Sequence, residues 1–433
     1  AHLNQYFWRY KTRFFLGILF VTISNFYAVV PPKVVRITFD LIRELSIIAP
    51  HFRDTPISVI GNEGIIGVWF FFGGVIVLSM ICKGIFMFFM RQTIVVMSRF
   101  IEYDLKNEIY EHYQNLSLAF FKRNNTGDLM ARITEDVTKV RMYLGPAVLY
   151  AVNLTVLFVL VIYNMIGVSP LLTAYVLIPL PILSVTIYFV SRQINIRSEK
   201  VQRQLSALST FVQEGFSGIR VLKAYAKEDA WAAAFDRETE EYKKTSLDLV
   251  QIQAVFFPSM VILIGLSTIL TVYVGGKQAI AGNITTGNIA EFIIYINMLT
   301  WPVAAIGWIT SIIQRAAASQ TRINEFLNTK PEIVNTVELP SSVDGTIRFD
   351  NVEFVYPDSG IKALNEISFE VKQGESLAIL GRTGSGKSTI ASLITRTYDT
   401  TKGNVQVDNR DIERLNLTSL RSNIGYVPQD VFL

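Results

Sequence analysis

The chain has 433 residues, of which 50% are hydrophobic and only 18% are charged, with a net charge of +4 at pH 7. Soluble domains usually carry about a quarter charged residues, so this composition excludes an ordinary soluble protein and indicates a chain that lies largely in a membrane. The single cysteine, Cys82, excludes a disulfide or a cysteine metal site within the chain. The three histidines are far apart in the sequence and predict no metal cluster.

Long apolar runs dominate the N-terminal three quarters of the chain. Each run is close to the ~20 residues that cross a bilayer as a helix, and Pro31 and Pro32 are expected to end the first one. Six runs of this length favour membrane helices over the buried core helices of a large soluble protein. The predicted runs are 14–30, 65–90, 144–166, 171–190, 254–274 and 289–313.

Lys and Arg residues are unevenly distributed among the segments that join these runs. If the N-terminus is cytoplasmic, the segments between runs two and three and between runs four and five hold eighteen of them, whereas the opposite side holds five. Cytoplasmic loops are enriched in Lys and Arg, so we predict a multi-pass protein of the cell inner (plasma) membrane with both termini cytoplasmic. The positive charge is then a topology signal, and we expect no nucleic-acid partner.

The two inner segments, 91–142 and 191–253, are polar but contain few glycines and no prolines. We therefore predict that the membrane helices continue through them, well beyond the bilayer. Short breaks at 124–127 and 214–218 would be the tips of two helical hairpins. Two disordered cytoplasmic loops are the alternative interpretation.

The most specific motif is Gly381-Arg382-Thr383-Gly384-Ser385-Gly386-Lys387-Ser388, which fits the phosphate-binding P-loop pattern G-x-x-x-x-G-K-[ST]. Its glycines let the loop turn tightly, so that backbone N–H groups can point at phosphate oxygens. Lys387 can reach the β- and γ-phosphates, and the hydroxyl of Ser388 can ligate Mg²⁺. ATP and Mg²⁺ are therefore the predicted cofactors.

The surroundings of the P-loop match this interpretation. We predict a buried strand at 376–380 before the loop and a helix at 389–394 after it, whose positive dipole end would add to phosphate binding. Thr389, at the start of this helix, completes the predicted nucleotide-binding segment.

In this order, the features resemble a half-transporter of the ATP-binding cassette (ABC) exporter family, of the lipid flippase and multidrug exporter type. Residues 120–133 look like the family's first coupling-helix region, and 214–225 are similar to the second. Phe7-Trp8-Arg9-Tyr10 resembles the interfacial elbow helix. The resemblance covers essentially the whole chain.

The resemblance implies an all-α membrane domain of six helices with long cytoplasmic extensions, followed by a truncated α/β P-loop nucleotide-binding domain. The membrane domain is predicted at 1–325, a linker at 326–344 and the N-terminal part of the nucleotide-binding domain at 345–433. The predicted coupling regions lie near 118–130 and 214–226. The helices are predicted near 14–38, 65–113, 137–166, 171–213, 243–274 and 287–325.

Two further residues receive a role only through the resemblance. Residues 346–356 alternate as a strand does, and Tyr356 matches the family's A-loop aromatic, which stacks on adenine. Residues 424–429 are expected to be a strand ending at Gln429, which matches the Q-loop glutamine that contacts Mg²⁺ and the attacking water. Lys387 and Gln429 are thus the predicted catalytic residues, and Ser388 and Gln429 the predicted metal ligands.

The chain departs from the family pattern after Gln429. The residues up to Leu433 contain no LSGGQ-type signature, no Walker B glutamate and no switch histidine. We therefore interpret the chain as a C-terminally truncated part of an intact transporter, with strand edges left exposed. In this form it is expected to bind nucleotide poorly and to hydrolyse it hardly at all.

The implied function of the intact protein is ATP-driven export or flipping of a lipid or amphipathic small molecule by alternating access. It would be an ATPase coupled to transmembrane transport, acting as a homodimer or heterodimer of half-transporters in the lipid bilayer. A nucleotide-gated or degenerate, non-hydrolytic half that acts with an active partner is the open alternative. Polar residues within the membrane runs, such as Asn25 and Asn153, are candidates for the substrate pathway.

Overall fold

The computed structural model describes residues 2–48 and 57–427. It divides into two compact units, one of residues 1–99 and 142–315 and the other of residues 100–141 and 316–433. Among the described residues, six helices are long and apolar enough to cross a membrane, which confirms the predicted helical membrane region. A sheet-containing region follows them, as expected for the nucleotide-binding part.

The elements follow one another along the chain as fifteen α-helices and four strands within the described residues. The helices are α1 (His2–Arg9), α2 (Lys11–Ala28), α3 (Val30–Ile48), α4 (Ile57–Asn115), α5 (Leu118–Arg123), α6 (Thr126–Ala131), α7 (Val137–Met142), α8 (Val148–Val168), α9 (Pro170–Leu177), α10 (Pro179–Ser217), α11 (Ile219–Ala224), α12 (Glu228–Ile280), α13 (Thr286–Leu327), α14 (Lys387–Ile394) and α15 (Leu417–Ser422). The strands are β1 (Ile347–Val355), β2 (Lys362–Val371), β3 (Lys402–Val407) and β4 (Arg410–Asp411).

Pro31 and Pro32 end the first apolar run, and the helical segment, which was predicted near 14–38, continues past them. α2 ends at Ala28, Val29 forms a turn, and both prolines lie in the first turn of α3. Proline is tolerated there because the first N–H groups of a helix have no intrahelical acceptor. The first spanning segment consists of α2 and most of α3, over Lys11–Glu44.

Buried apolar side chains hold the helices of the first unit together. One cluster joins α8, α9, α10 and α13 and includes Leu172, Phe292 and Tyr295, each fully buried. Another joins α2, α4 and α8 and includes Val21 and Ile94. The helices that are expected to span the bilayer therefore contact one another through close apolar packing.

Two of the polar residues expected within the membrane bind each other. Asn25 in α2 is 3% exposed, and its side-chain nitrogen donates a hydrogen bond to Oδ1 of Asn153 in α8 at 2.8 Å. Such amide pairs join helices where lipid offers no hydrogen-bond partner. We therefore assign this pair to helix packing rather than to a substrate pathway.

Both predicted breaks are shorter than expected, because α6 begins at Thr126 and α10 continues through Ser217. Only Asn124 and Asn125 in the first break and Gly218 in the second lie outside a helix. At the first break, the side chain of Asn125 accepts a hydrogen bond from the N–H of Gly127 at 2.8 Å, so it caps the start of α6. At the second, α11 lies between α10 and α12, and Trp231 packs against Gly215. A Cβ at Gly215 would lie 2.7 Å from Nε1 of Trp231, so glycine permits this close packing near the hairpin tip.

The second unit contains an antiparallel sheet whose described strands are ordered β2-β1-β3-β4. β1 forms where the alternation at 346–356 predicted a strand, and it ends at Val355, directly before Tyr356. Phe349 of β1 and Leu364 of β2 are buried in one apolar core with Ile390 of α14. The helix that follows the P-loop is therefore held against the sheet.

Two predicted strands are not strands in the described part of the chain. Residues 375–380 form no strand and are exposed, and Leu380 is 94% exposed. Residues 424–427 also form no strand, and Gln429 lies outside the described residues. Apolar composition alone does not make a strand, because its N–H and C=O groups need a neighbouring strand to bind.

Gly17 gives a test of the helix packing in the first unit. A Cβ there would overlap Cγ1 of Ile94 and lie 2.8 Å from its Cδ1. We expect Gly17→Val to lower the free energy of unfolding by about 1–3 kcal/mol, because overpacking forces neighbouring side chains apart. Thermal denaturation in detergent micelles measures the change. Gly73→Val in α4 is the control, since a Cβ at Gly73 meets no atom within 4 Å; equal losses in both variants would contradict the packing of α2 on α4.

Candidate nucleotide-binding site

The P-loop connects the exposed segment 375–380 to α14. Gly384 and Gly386 have φ angles of +83° and +89°, which side chains rarely allow, so these two turns require glycine. At Gly386 a Cβ would also lie 2.5 Å from the carbonyl oxygen of Ala363 in β2. The last glycine of the motif therefore lets the loop backbone approach the sheet closely.

Lys387 is the first residue of α14, and its side chain turns back over the loop. Its Nζ donates to the carbonyl oxygens of Gly381 at 2.9 Å and Arg382 at 2.8 Å, and it lies 3.4 Å from Oγ of Ser385. Because these acceptors belong to the loop itself, the positive charge is held where an anionic polyphosphate would bind.

The N-terminus of α14 adds to the capacity for anion binding. The first N–H groups of a helix have no partner within the helix, and they form its positive end. In α14 these groups belong to Lys387, Ser388 and Thr389, and the next residue, Ile390, already donates to the carbonyl of Gly386. Ser388 is exposed at this end, so its hydroxyl can reach a metal ion bound to the nucleotide.

The side chain of an arginine caps the C-terminal end of α14. Arg421 donates from Nε to the carbonyl oxygen of Thr395 at 3.0 Å and from Nη2 to that of Arg396 at 2.8 Å. Burial, together with the nearby charge of Arg396, lowers the pKa of Arg421 from its ordinary value. A cation that binds carbonyl groups at a helix C-terminus stabilises the helix, so Arg421 stabilises the C-terminal end of α14.

Tyr356 lies beside α14 on the same core. Its hydroxyl oxygen is 2.9 Å from Oγ1 of Thr389, which is 3% exposed. Its ring packs nearly perpendicular to the rings of Phe354 and Tyr398, at centroid distances of 4.9 and 5.6 Å. The ring predicted to bind adenine is therefore tied directly to the helix that carries the phosphate-binding loop.

α5 lies in the predicted coupling region near 118–130, but no sequence pattern predicted that Lys122 contacts the tyrosines of this site. Ala119 of α5 is 1% exposed and belongs to the core of the sheet. One turn later, Nζ of Lys122 lies over the rings of Tyr356 and Tyr398, at 4.9 and 5.6 Å from their centroids. In the sequence, Lys122 was one of many basic residues that indicate topology, and no spacing pattern linked it to tyrosines so distant along the chain.

Further contacts fix α5 on its other side. Arg123 forms an ion pair with Glu332, which follows α13. Phe120 packs against Phe326 at the end of α13, with ring centroids 6.0 Å apart. α5 is thus bound both to the sheet and to the segment that leads into it.

The structure brings Tyr356 and residues 381–389 together in the second unit, whereas Gln429 lies outside the described residues. Within residues 2–48 and 57–427 no group of three or more His, Cys, Asp or Glu is arranged to hold a metal ion. The loop ammonium, the exposed hydroxyl of Ser388, the free end of α14 and the nearby aromatic ring fit the phosphates, metal ion and base of Mg²⁺-ATP.

Comparison with known proteins extends these observations to the whole chain. Residues 14–303 match the family model of the ABC transporter transmembrane region, and residues 364–433 match that of the ABC transporter ATP-binding part, described as "ABC transporter". The multidrug resistance-like ATP-binding protein MdlA of Escherichia coli (strain K12) is 31% identical over 438 residues, which cover 100% of this chain and 71% of the relative.

Two other relatives have similar identity. The probable multidrug resistance ABC transporter ATP-binding/permease protein YheI of Bacillus subtilis (strain 168) is 30% identical over 435 residues, covering 100% of this chain and 71% of the relative. The ATP-dependent lipid A-core flippase of Syntrophus aciditrophicus (strain SB) is 31% identical over 354 residues, covering 81% of this chain and 57% of the relative.

The order of the two matched models is the order found in the structure, with membrane helices first and the P-loop region second. The similarity to MdlA and YheI extends along the whole chain and is therefore not limited to the P-loop, which unrelated nucleotide-binding proteins share. This agreement confirms the resemblance found in the sequence, and the chain belongs to the ABC transporter family, with a transmembrane region and an ATP-binding region in one polypeptide.

Proposed function

We propose that this protein exports or flips a lipid or amphipathic small molecule across the cell inner membrane, as a dimer of half-transporters that hydrolyse ATP. ATP-driven export is the general activity of its family. We propose, in addition, the substrate class, the dimeric state, the cytoplasmic location of both termini and the roles of the site residues. Its main support is that the proposed adenine ring, the P-loop helix and α5 share one apolar core. Nucleotide binding can therefore act directly on α5.

The proposed chemistry depends on position and charge. Mg²⁺ would offset the negative charge of the phosphates. Lys387 would exchange the carbonyl oxygens of Gly381 and Arg382 for phosphate oxygens, and Ser388 would hold the metal ion. We assign Gln429 to the metal ion and the attacking water by family resemblance. These groups supply the orientation and charge neutralisation on which phosphoryl transfer mainly depends.

Coupling to transport would begin at α5. Because Ala119 is buried in the same core as Ile390 of α14, a shift of α14 on the sheet must move α5 or open the core. Packed cores tolerate discrete rearrangements better than continuous deformation. ATP binding would thus bias the protein between two arrangements, which correspond to inward-facing and outward-facing states in alternating access.

Two cavities in the first unit support an amphipathic substrate. A cavity of about 380 Å³ between α8 and α13 is mostly apolar and is lined by Leu154, Phe158 and other residues. A second, of about 390 Å³, lies between α10 and α13 and includes Arg192. Ile306 and Thr310 line both cavities. Apolar space therefore adjoins polar and cationic space, which suits a molecule with a hydrocarbon part and a polar or anionic head.

Replacement of Lys387 tests the proposed ATPase. We expect Lys387→Ala to reduce ATP hydrolysis and ATP-driven transport by a factor on the order of 100 or more, because a charge that stabilises the transferring phosphoryl group is lost. Both rates can be measured with the native protein in proteoliposomes. Lys372→Ala, at an exposed position before the P-loop, is the charge-matched control and should retain both rates. Wild-type transport in Lys387→Ala would refute hydrolysis at this site and favour the nucleotide-gated alternative.

Replacement of Tyr356 tests the assignment of the adenine site. We expect Tyr356→Ala to weaken ATP binding by about 1–3 kcal/mol, the range found when an aromatic ring that stacks on a base is removed. Tyr356→Phe keeps the ring and loses only the contact to Thr389, so its loss should be much smaller. Equilibrium binding of ATP to the purified protein measures both. An unchanged affinity in Tyr356→Ala would show that adenine binds elsewhere.

A larger side chain at Ile306 tests the substrate cavities. Ile306→Trp would fill space in both cavities, so we expect it to lower the stimulation of ATP hydrolysis by amphipathic compounds while the basal rate remains. Ile269→Trp is the control, because Ile269 is equally apolar, 65% exposed on α12, and lines neither cavity. The same stimulation in Ile306→Trp and wild type would place the substrate elsewhere.

A further inference from the structure

The aromatic pair next to the P-loop, Tyr356 and Tyr398, is in contact with a lysine of α5. The rings of Tyr356 and Tyr398 are in contact and nearly perpendicular to each other, with an interplanar angle of 88°. Nζ of Lys122 lies over both rings, at 4.9 and 5.6 Å from their centroids. An ammonium within about 6 Å of a ring centroid is attracted by the negative face of the ring, so Lys122 forms a cation–π contact with each tyrosine ring.

The position of Lys122 follows from the packing of α5. Residues three apart lie on the same face of a helix, so the burial of Ala119 in the sheet core directs Lys122 toward the tyrosine pair. Arg123, four residues after Ala119, pairs with Glu332 instead. The contact therefore belongs to the way in which α5 docks on the sheet.

Tyr356 has little freedom to move away from this contact. Its hydroxyl group is 2.9 Å from Thr389 in α14, and its ring packs against Phe354 with centroids 4.9 Å apart. The ring itself is only half-buried, so its open surface is limited. Lys122 lies over one face of this ring, so a base that stacks on that face must displace the ammonium.

We propose that Lys122 and adenine compete for the ring of Tyr356, so that the base of the nucleotide, rather than its phosphates, releases Lys122 from the site. This inference rests on the proposed role of Tyr356. Lys122 is then a specificity-determining residue that lowers affinity for nucleotides with a stacking base and leaves affinity for polyphosphate unchanged.

Competition for one ring also makes the coupling between adenine binding and α5 docking reciprocal. If adenine weakens the contact between α5 and Tyr356, then any change elsewhere that pulls α5 from the sheet must strengthen adenine binding by the same factor. Binding of the nucleotide base would thus weaken the contact of α5 with the sheet. The phosphates would act separately, through Lys387 and α14.

Removal of the ammonium tests the competition. In the native protein in lipid nanodiscs, with EDTA present to prevent hydrolysis, we expect Lys122→Ala to bind ATP about 3- to 10-fold more tightly, the range for loss of a partly exposed cation–π contact. Binding of inorganic tripolyphosphate should not change. Lys122→Arg, which keeps a cation over the rings, should bind ATP as the wild type does.

Two controls separate this mechanism from general effects of charge or fold. Lys200→Ala removes an exposed lysine on α10 and should change neither affinity. In a Tyr356→Ala background, Lys122→Ala should have no further effect on ATP affinity, because the shared ring is absent. A gain that persists in this background would overturn the competition, as would a parallel gain for tripolyphosphate.

The remaining outcomes are also decisive. Unchanged or weaker ATP binding in Lys122→Ala would refute competition, the latter by showing that Lys122 assists the base. If Tyr356→Ala alone leaves ATP affinity unchanged, the adenine assignment in the proposed function is wrong. If Tyr356→Ala weakens binding and Lys122→Ala has no effect, the adenine assignment stands and only the competition fails.

Discussion

Burial of one apolar core is the interaction on which the second unit depends. Phe349, Phe354 and Leu364 form the sheet side of this core, Ile390 contributes from α14, and Ala119 contributes from α5. Within residues 2–48 and 57–427, Lys387 and Ser388 are attached to this core through α14, and Tyr356 packs against it at the end of β1. As a result, the P-loop helix, the aromatic ring and α5 hold their relative positions through side-chain packing, which resists small displacements because well-packed interiors leave little free volume.

The first unit is held together differently. In a bilayer, lipid chains are as apolar as the side chains, so burial alone gives little drive for helices to associate, and close approach and interhelical hydrogen bonds matter more. The contact of Gly17 with Ile94, the contact of Gly145 with Ser98 and the Asn25–Asn153 pair are of this kind. The small residues allow the helices to approach, and the amide pair fixes which faces meet. Each unit thus uses the interaction that its expected surroundings make effective.

The helices and the P-loop could be predicted from the sequence because their requirements are local. A bilayer demands about 20 consecutive apolar residues, and phosphate binding demands glycines, a lysine and a hydroxyl at fixed spacing. Pro31 and Pro32 end the first apolar run but lie in the first turn of α3, because proline is tolerated at the start of a helix. The strand predicted at 376–380 failed because pairing depends on distant residues. The contact of Lys122 with Tyr356 was missed for the same reason, since it depends on how α5 docks and on no pattern within either segment.

The length of α12 has a mechanical consequence. This helix has 53 residues, so at 1.5 Å per residue it is about 80 Å long. The hydrocarbon core of a bilayer is about 30 Å thick, which leaves more than half of the helix outside it. A rigid rod of this length acts as a lever, and a tilt of about 5° at one end displaces the other by about 7 Å. A small rotation of the helix within the membrane and a shift of several ångströms at the hairpin tip are therefore the same motion. Pro258, inside the helix, is the position at which the helix bends most easily.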